Sequence, residues 1–99
     1  MNEQDEKISV LVVDDNRYNL QVMEAMLSDL HLDVRMAFNG KDALTSIQSE
    51  PPELILLDIH MPEMDGYEVC KHLKKREATK HIPIIFVSTL SEQEDKIKG

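Results

Sequence analysis

Oxygen-bearing side chains follow three apolar runs of this sequence, at the points where the runs end. They are the pair Asp14 and Asp15, the single Asp58, and the pair Ser88 and Thr89. If the runs are strands of a parallel sheet, their carboxyl ends meet at one edge, which is where open α/β sheets bind ligands. We therefore expect these side chains to converge.

Carboxylates that converge repel one another unless a cation neutralises them or one of them stays protonated. A hard divalent cation satisfies this requirement, and Mg²⁺ fits well because it accepts one or two carboxylates and leaves positions for water and phosphate oxygens. A carboxylate can also act as a nucleophile that forms an aspartyl phosphate, and a hydroxyl can hydrogen-bond the transferring group. The residue types therefore suit metal-assisted phosphoryl chemistry.

Each of these signals is weak alone, because an acid after an apolar run often caps the following helix. Asp15 or Asn16 can cap a helix in this way, and Ser88 can be an ordinary turn residue. The combination of acids after the first and third runs with a hydroxyl after the fourth makes the functional interpretation the stronger one.

The elements that must position these side chains alternate between strands and helices. Strands are predicted at residues 8–13, 33–37, 54–57 and 82–87, and helical patterns lie between them. The first helix carries an apolar stripe at Leu20, Met23, Met26, Leu27 and Leu30. Asn39-Gly40 breaks the chain, and residues 67–76 form a helix with Val69, Cys70 and Leu73 facing inward. This alternation predicts βαβ units and a parallel sheet.

Length and composition limit the classes of protein. The chain has 99 residues, a formal net charge of -8 and one cysteine, Cys70. The charge argues against direct binding to nucleic acid, and a lone cysteine excludes an internal disulfide. No apolar stretch approaches the roughly 20 residues of a membrane span, and the polar N-terminus is unlike a signal peptide. We expect a cytoplasmic protein with a disordered lead-in at residues 1–7 and one domain at residues 8–99.

Three segments of the sequence resemble the receiver domain of response regulators in two-component signalling. They are the acidic pair within Val12–Asn16, the run Leu56–Gly66 around Asp58, and His81–Ser88. The resemblance extends over residues 8–99, and the Asp58–Gly66 motif is highly specific. It implies a flavodoxin-like (CheY-like), doubly wound α/β fold, whose complete form has the strand order 2-1-3-4-5.

The resemblance also implies a role for each matching position. Asp58 would accept the phosphoryl group, Asp15 would bind Mg²⁺ directly, and Asp14 would act mainly through water. The backbone carbonyl of His60 would be a further metal ligand, and Ser88 would hydrogen-bond a phosphoryl oxygen as a switch. Pro62 and Gly66 would shape the loop that follows Asp58.

The sequence departs from the family pattern after the fourth strand. The fifth strand, the last helix, and the Lys and aromatic residue of that strand are absent, so we expect a strand order of 2-1-3-4 in an incomplete domain. The apolar fourth strand would then lie at an open edge of the sheet, and such edges pair with other chains. The sequence therefore predicts self-association or an exchanged element.

The resemblance implies a signalling switch rather than an enzyme, with a histidine kinase or phosphotransfer protein as its partner. One alternative is a receiver-like docking or dimerisation module that is never phosphorylated. Another is a phosphatase-like hydrolase with an aspartyl nucleophile, although Asp58-Ile59-His60 lacks the second carboxylate that such enzymes place two residues on. Dinucleotide binding is excluded because no Gly-rich loop follows the first strand.

Overall fold

A computed structural model describes residues 7–87 of the chain. The elements are β1 (Ser9–Val13), α1 (Arg17–Ser28), β2 (Asp33–Ala37), α2 (Gly40–Ser49), β3 (Leu54–Asp58), α3 (Gly66–Lys74) and β4 (Ile84–Val87). Most of the predicted lead-in, the pair Ser88 and Thr89, and the predicted start of a fourth helix lie outside the described residues.

The four described strands form one parallel sheet in the order β2-β1-β3-β4. The predicted α/β class and strand order 2-1-3-4 are therefore confirmed. Val13 of β1 is in register with Leu57 of β3, and Asp58 is in register with Val87 of β4. Because all four strands run the same way, Asp14 and Asp58 leave the sheet at the same edge.

Helices cover both faces of the sheet, since alternate residues of each strand point to opposite sides. On one face, Leu11, Val13 and Leu57 pack with residues of α2 and α3. On the other face, Val10 and Val12 pack against Leu20 of α1. Burial on both faces explains why β1 and β3 are continuous apolar runs and not alternating ones.

The apolar stripe of α1 is narrower than predicted. Leu20 is buried, and Met23 and Leu27 are half-buried against the sheet, but Met26 and Leu30 are 64% and 65% exposed. A helix turns about 100° per residue, so Met26 points roughly a quarter turn away from the line through Leu20 and Leu27. Leu30 lies beyond the last helical residue, Ser28.

Side-chain caps set the start of each helix. Asn16 caps α1 by accepting a hydrogen bond from the Asn19 N–H, and Asn39 caps α2 by accepting one from the Asp42 N–H. Asn39-Gly40 is therefore a helix start and not only a chain break. α3 opens with a reciprocal capping box, in which Asp65 and Glu68 each accept from the other's backbone N–H.

One boundary each of β1, β3 and β4 and both ends of α3 differ from the prediction by one or two residues. β4 begins at Ile84 and not Ile82, because Pro83 has no N–H to donate to the ladder. α3 runs from Gly66 to Lys74, with Val69 and Leu73 buried but Cys70 only half-buried. Within residues 7–87, no helix has the length and apolar character needed to cross a membrane.

The capping box gives the first testable prediction. Replacing Asp65 with Ala removes the acceptor for the Glu68 N–H at the start of α3, so Asp65→Ala should lower the free energy of unfolding by about 1 kcal/mol. Urea denaturation measures the change. The control is Lys71→Ala, at an exposed position of the same helix, which should stay within about 0.5 kcal/mol of the parent protein. Equal losses in the two variants would contradict the capping role.

Candidate functional site

Three carboxylates meet at the carboxyl edge of the sheet. One oxygen from each of Asp14, Asp15 and Asp58 lies within 4.8 Å of the others. Asp58 is the last residue of β3, and Asp14 directly follows β1, where its N–H donates to the Ala37 carbonyl of β2. The structure thus brings together the three acidic side chains that the sequence singled out.

Asp14 is held in place by residues of the first turn of α1. It is 1% exposed, and its Oδ1 accepts from the Asn16 N–H at 2.9 Å while its Oδ2 accepts from the Asn19 Nδ2 at 3.4 Å. Both oxygens therefore already have donors. This arrangement orients the carboxylate toward Asp58 and leaves it less free to bind a cation directly.

Asp15 differs from Asp14 in its exposure. It is exposed, whereas Asp14 and Asp58 are buried. Because Asn16 and not Asp15 caps α1, the sequence-level alternative of a capping role for Asp15 does not hold. The carboxylate of Asp15 is thus the member of the cluster that solvent can reach.

Asp58 is 1% exposed and lies at the centre of the cluster. Its Oδ1 accepts from the His60 N–H at 3.3 Å, and the Asp14 side chain lies close enough to interact with its carboxyl. The neighbouring Ile59 N–H donates to the Val87 carbonyl at 3.3 Å. Backbone pairing on both sides of Asp58 therefore fixes where its carboxylate leaves the sheet.

The cluster is electrostatically unfavourable without a counter-charge. Burial and, to a smaller extent, the negative charge of Asp14 together raise the pKa of Asp58 to about 7. Burial also raises the pKa of Asp14, although the hydrogen bonds from Asn16 and Asn19 act in the opposite direction. One carboxyl of this pair therefore tends to keep a proton near neutral pH unless a cation displaces it.

The donor set fits a hard divalent cation. The cluster brings together three carboxylate oxygens, and the burial and charge repulsion that raise the pKa of Asp58 are the costs that a cation would offset. Asp15 and Asp58 are the carboxylates best placed to bind such an ion directly, because Asp14 is already occupied by two hydrogen bonds.

The loop from Ile59 to Asp65 lies directly beside the cluster and is closely anchored. The Gly66 N–H donates to the Ile59 carbonyl at 2.9 Å, and the Met64 N–H donates to the Pro62 carbonyl at 2.7 Å. A Cβ on Gly66 would lie 2.5 Å from the Asp58 carbonyl oxygen, so only glycine fits against this strand end. Glu63 adopts a left-handed conformation with φ 69°, which turns the chain sharply between Pro62 and Met64.

His60 is a half-buried residue of this loop, two positions after Asp58. Its N–H contacts the Asp58 carboxylate, and its role as a carbonyl ligand stays a prediction. Ser88, the predicted switch hydroxyl, lies outside the described residues. His31, His72 and His81 are exposed, as expected for surface residues without a shared site.

Sequence reasoning missed the asparagines that support Asp14. Asn16 was considered only as a helix cap, and Asn19 was not considered at all. The available signal was their spacing, because an Asn at a helix start commonly hydrogen-bonds neighbouring backbone and side-chain groups. The capping box was also detectable as Asp65-x-x-Glu68, the acidic pattern before an apolar helix.

Comparison with known proteins gives a consistent result. The family description "Response regulator receiver domain" matches residues 10–99. Response regulator PleD of Caulobacter vibrioides is 40% identical over 90 residues, which are 91% of this chain and 20% of PleD. Protein PilG of Pseudomonas aeruginosa is 36% identical over 99 residues, which are 100% of this chain and 73% of PilG.

Solved structures agree with the sequence relatives. The chemotaxis response regulator CheY4 of Vibrio cholerae is 31% identical with a TM-score of 0.81, covering 95% of this chain and 78% of that one. A response regulator from Chloroflexus aurantiacus has a TM-score of 0.82 at 30% identity, covering 95% and 77%.

The share of each relative that is matched varies widely. The chain spans about a fifth of the length of PleD and 38% of the probable transcriptional regulator ycf27 of Porphyridium aerugineum. A match to 90 of the 99 residues, together with the parallel sheet and the acidic edge, identifies the family: the chain belongs to the response regulator receiver domains.

Proposed function

We propose that Asp58 is the phosphoacceptor of this receiver domain and that it takes the phosphoryl group from a histidine kinase or phosphotransfer protein in the presence of Mg²⁺. The observation that carries the proposal is the buried Asp58 carboxylate within 4.8 Å of the ligand oxygens of Asp14 and Asp15. A buried carboxylate beside two other acids is suited to attack at phosphorus once a cation offsets their charge.

Each residue of the acidic site would have its own role in phosphoryl transfer. Asp15, Asp58 and the His60 carbonyl would hold the cation, and Asp14 would act on it mainly through water. When bound, Mg²⁺ neutralises charge on the phosphoryl oxygens and on the carboxylates. An Asp58 carboxylate oxygen forms the new bond to phosphorus, the phosphorus–nitrogen bond of the donor phosphohistidine breaks, and the donor imidazole keeps that electron pair and takes up a proton.

The docking-only alternative is less well supported. A module that serves only for contact gains nothing from burying Asp14 and Asp58 together, because their repulsion and desolvation destabilise the fold.

The chemistry is a signalling step and not turnover of a free substrate. A probable cyclic di-GMP phosphodiesterase of Vibrio cholerae is 41% identical over 91 residues, but those are only 20% of that protein, so its enzymatic name gives no reason to assign an activity to this chain.

The first test of the proposal is covalent labelling. Incubating the protein with acetyl phosphate and Mg²⁺ should add one phosphoryl mass, because the small donor supplies the same electrophilic phosphorus as a kinase. Mass spectrometry measures the product, and Asp58→Asn should add none. Asp42→Asn, at an exposed acid of α2, is the matched control and should label like the parent protein. Labelling of Asp58→Asn to the same extent would exclude Asp58 as the acceptor.

A second prediction concerns pH and the metal. The pKa of Asp58 is about 7, so below this pH the carboxyl holds a proton that a cation must displace. Mg²⁺ affinity should therefore rise with pH up to about 7 and level off above it. The slope below it should approach about tenfold per pH unit for one displaced proton. Calorimetric titrations across the range measure the trend. An affinity that does not change with pH would mean that no buried carboxyl competes with the ion.

A third prediction concerns stability without divalent cations. The folded-state pKa of Asp58 is raised from 3.8 to about 7, so the native state holds more protons than the unfolded state between these values. Stability contributed by the protonated carboxyl is present at low pH and is lost as pH rises through the folded pKa. Asp58→Asn removes this loss, and should be more stable than the parent above neutral pH by on the order of 4 kcal/mol, since each pKa unit corresponds to about 1.4 kcal/mol.

Urea denaturation in EDTA at acidic and alkaline pH tests this difference. Near the unfolded pKa, 3.8, the parent carboxyl is neutral and the two proteins should differ little. The matched control is Asp42→Asn, whose stability relative to the parent should change much less between the two conditions. If the free energies of unfolding of the parent protein and Asp58→Asn differed by the same amount at both pH values, the raised pKa of Asp58 would be contradicted.

A further inference from the structure

The β3–α3 loop, residues Ile59–Asp65, makes a close contact with the start of α2, and this contact has no part in the roles described above. Gly40 is the first residue of α2 and is buried. A Cβ on Gly40 would lie 3.0 Å from both Cγ and Sδ of Met64 and 2.9 Å from Cγ2 of Val69. The helix start therefore lies as close to the loop as a residue without a side chain allows.

The need for glycine here is spatial and not conformational. No glycine in residues 7–87 has a positive φ, so the backbone of Gly40 accepts an alanine. Alanine is also the better helix former, by up to about 1 kcal/mol within a helix. Alanine, which helix propensity favours at position 40, is therefore disfavoured only by the neighbouring atoms of Met64 and Val69.

The two neighbours of Gly40 do not yield equally. Val69 is fully buried in the core, and its β-branched side chain has one strongly preferred rotamer in a helix. Met64 is only half-buried and belongs to the loop. A methyl group at position 40 would crowd Val69 Cγ2 most closely, at 2.9 Å. Met64 is the neighbour that can move more readily, and its backbone belongs to the loop that carries His60.

The loop has little freedom to absorb such a displacement without moving near the site. Its other end is held by Gly66 against the Asp58 carbonyl, and Met61 is buried in the core. Glu63, immediately before Met64, already has the left-handed φ of 69°, a conformation that costs energy for a residue with a Cβ. A small open cleft between the loop and α2 is lined by Asn39, Lys41 and Pro62.

We propose that Gly40 and Met64 form a positioning contact that holds the β3–α3 loop against α2 and thereby sets how well the acidic site binds a divalent cation. Neither residue touches the ion. Both act through the loop, in the way that groups behind a metal ligand orient it. The inference rests on the proposed function, because it assumes that the site takes Mg²⁺.

The experiment is a Mg²⁺ titration of Gly40→Ala, Met64→Ala and the double variant, followed by calorimetry. Gly40→Ala should weaken Mg²⁺ binding about tenfold, while the protein stays folded in EDTA and unfolds in a single cooperative transition. In the ion-free protein, the amide resonances of His60 and Gly66 should shift. Gln48→Ala, at an exposed position of the same helix, is the control and should change neither.

The double variant separates a positioning contact from a general structural effect. Removing the Met64 side chain relieves both of its contacts with the new methyl group and leaves the Val69 contact, so Gly40→Ala should cost less affinity in the Met64→Ala background than in the parent protein. An equal loss in both backgrounds, or a Gly40→Ala protein that binds like the parent, would overturn the inference alone. A parent protein that binds no Mg²⁺ would instead overturn the proposed function, and this inference with it.

Discussion

The repulsion between two buried carboxylates is the constraint on which the rest of this structure depends. Asp14 follows β1 and Asp58 ends β3, and the register of these parallel strands pairs Val13 with Leu57, so parallel pairing itself brings the two acids together. Burial makes that proximity costly, as the raised pKa of both groups shows. A fold stabilised by about 5 to 15 kcal/mol in total retains such a pair only where the apolar sheet around it compensates, and a bound cation would offset the repulsion.

The sheet supplies that compensation because its central strands are apolar on both faces. Leu11 and Val13 pack toward α2 and α3, while Val10 and Val12 pack toward α1. Two helix layers thus fix β1, and β1 fixes the edge from which Asp14 emerges. The same helices supply the caps and donors near the site, so stability and chemistry share residues such as Asn16.

The fold and the acidic cluster were largely predictable because both follow from patterns local to the sequence. An apolar run that ends in an acid marks a strand and its carboxyl end, and parallel topology does the rest. The exposure of Met26 was not predictable from spacing alone, since a stripe gives no information on how wide a surface the sheet offers. The hydrogen bonds to Asp14 and the contact of Gly40 with Met64 depend on distances between elements, which no single segment encodes.

Position 40 illustrates how those distances carry functional information. By propensity alone, alanine is preferred over glycine in a helix, and the backbone there imposes no left-handed requirement. The glycine is explained only when Met64 and Val69 are placed beside it. The same reasoning applies to Gly66, where the Asp58 carbonyl excludes a Cβ. Two glycines thus allow the β3–α3 loop to pack closely, Gly66 against the Asp58 carbonyl and Gly40 against Met64. The absence of a side chain at these two positions therefore decides how tightly the loop beside the three carboxylates is held.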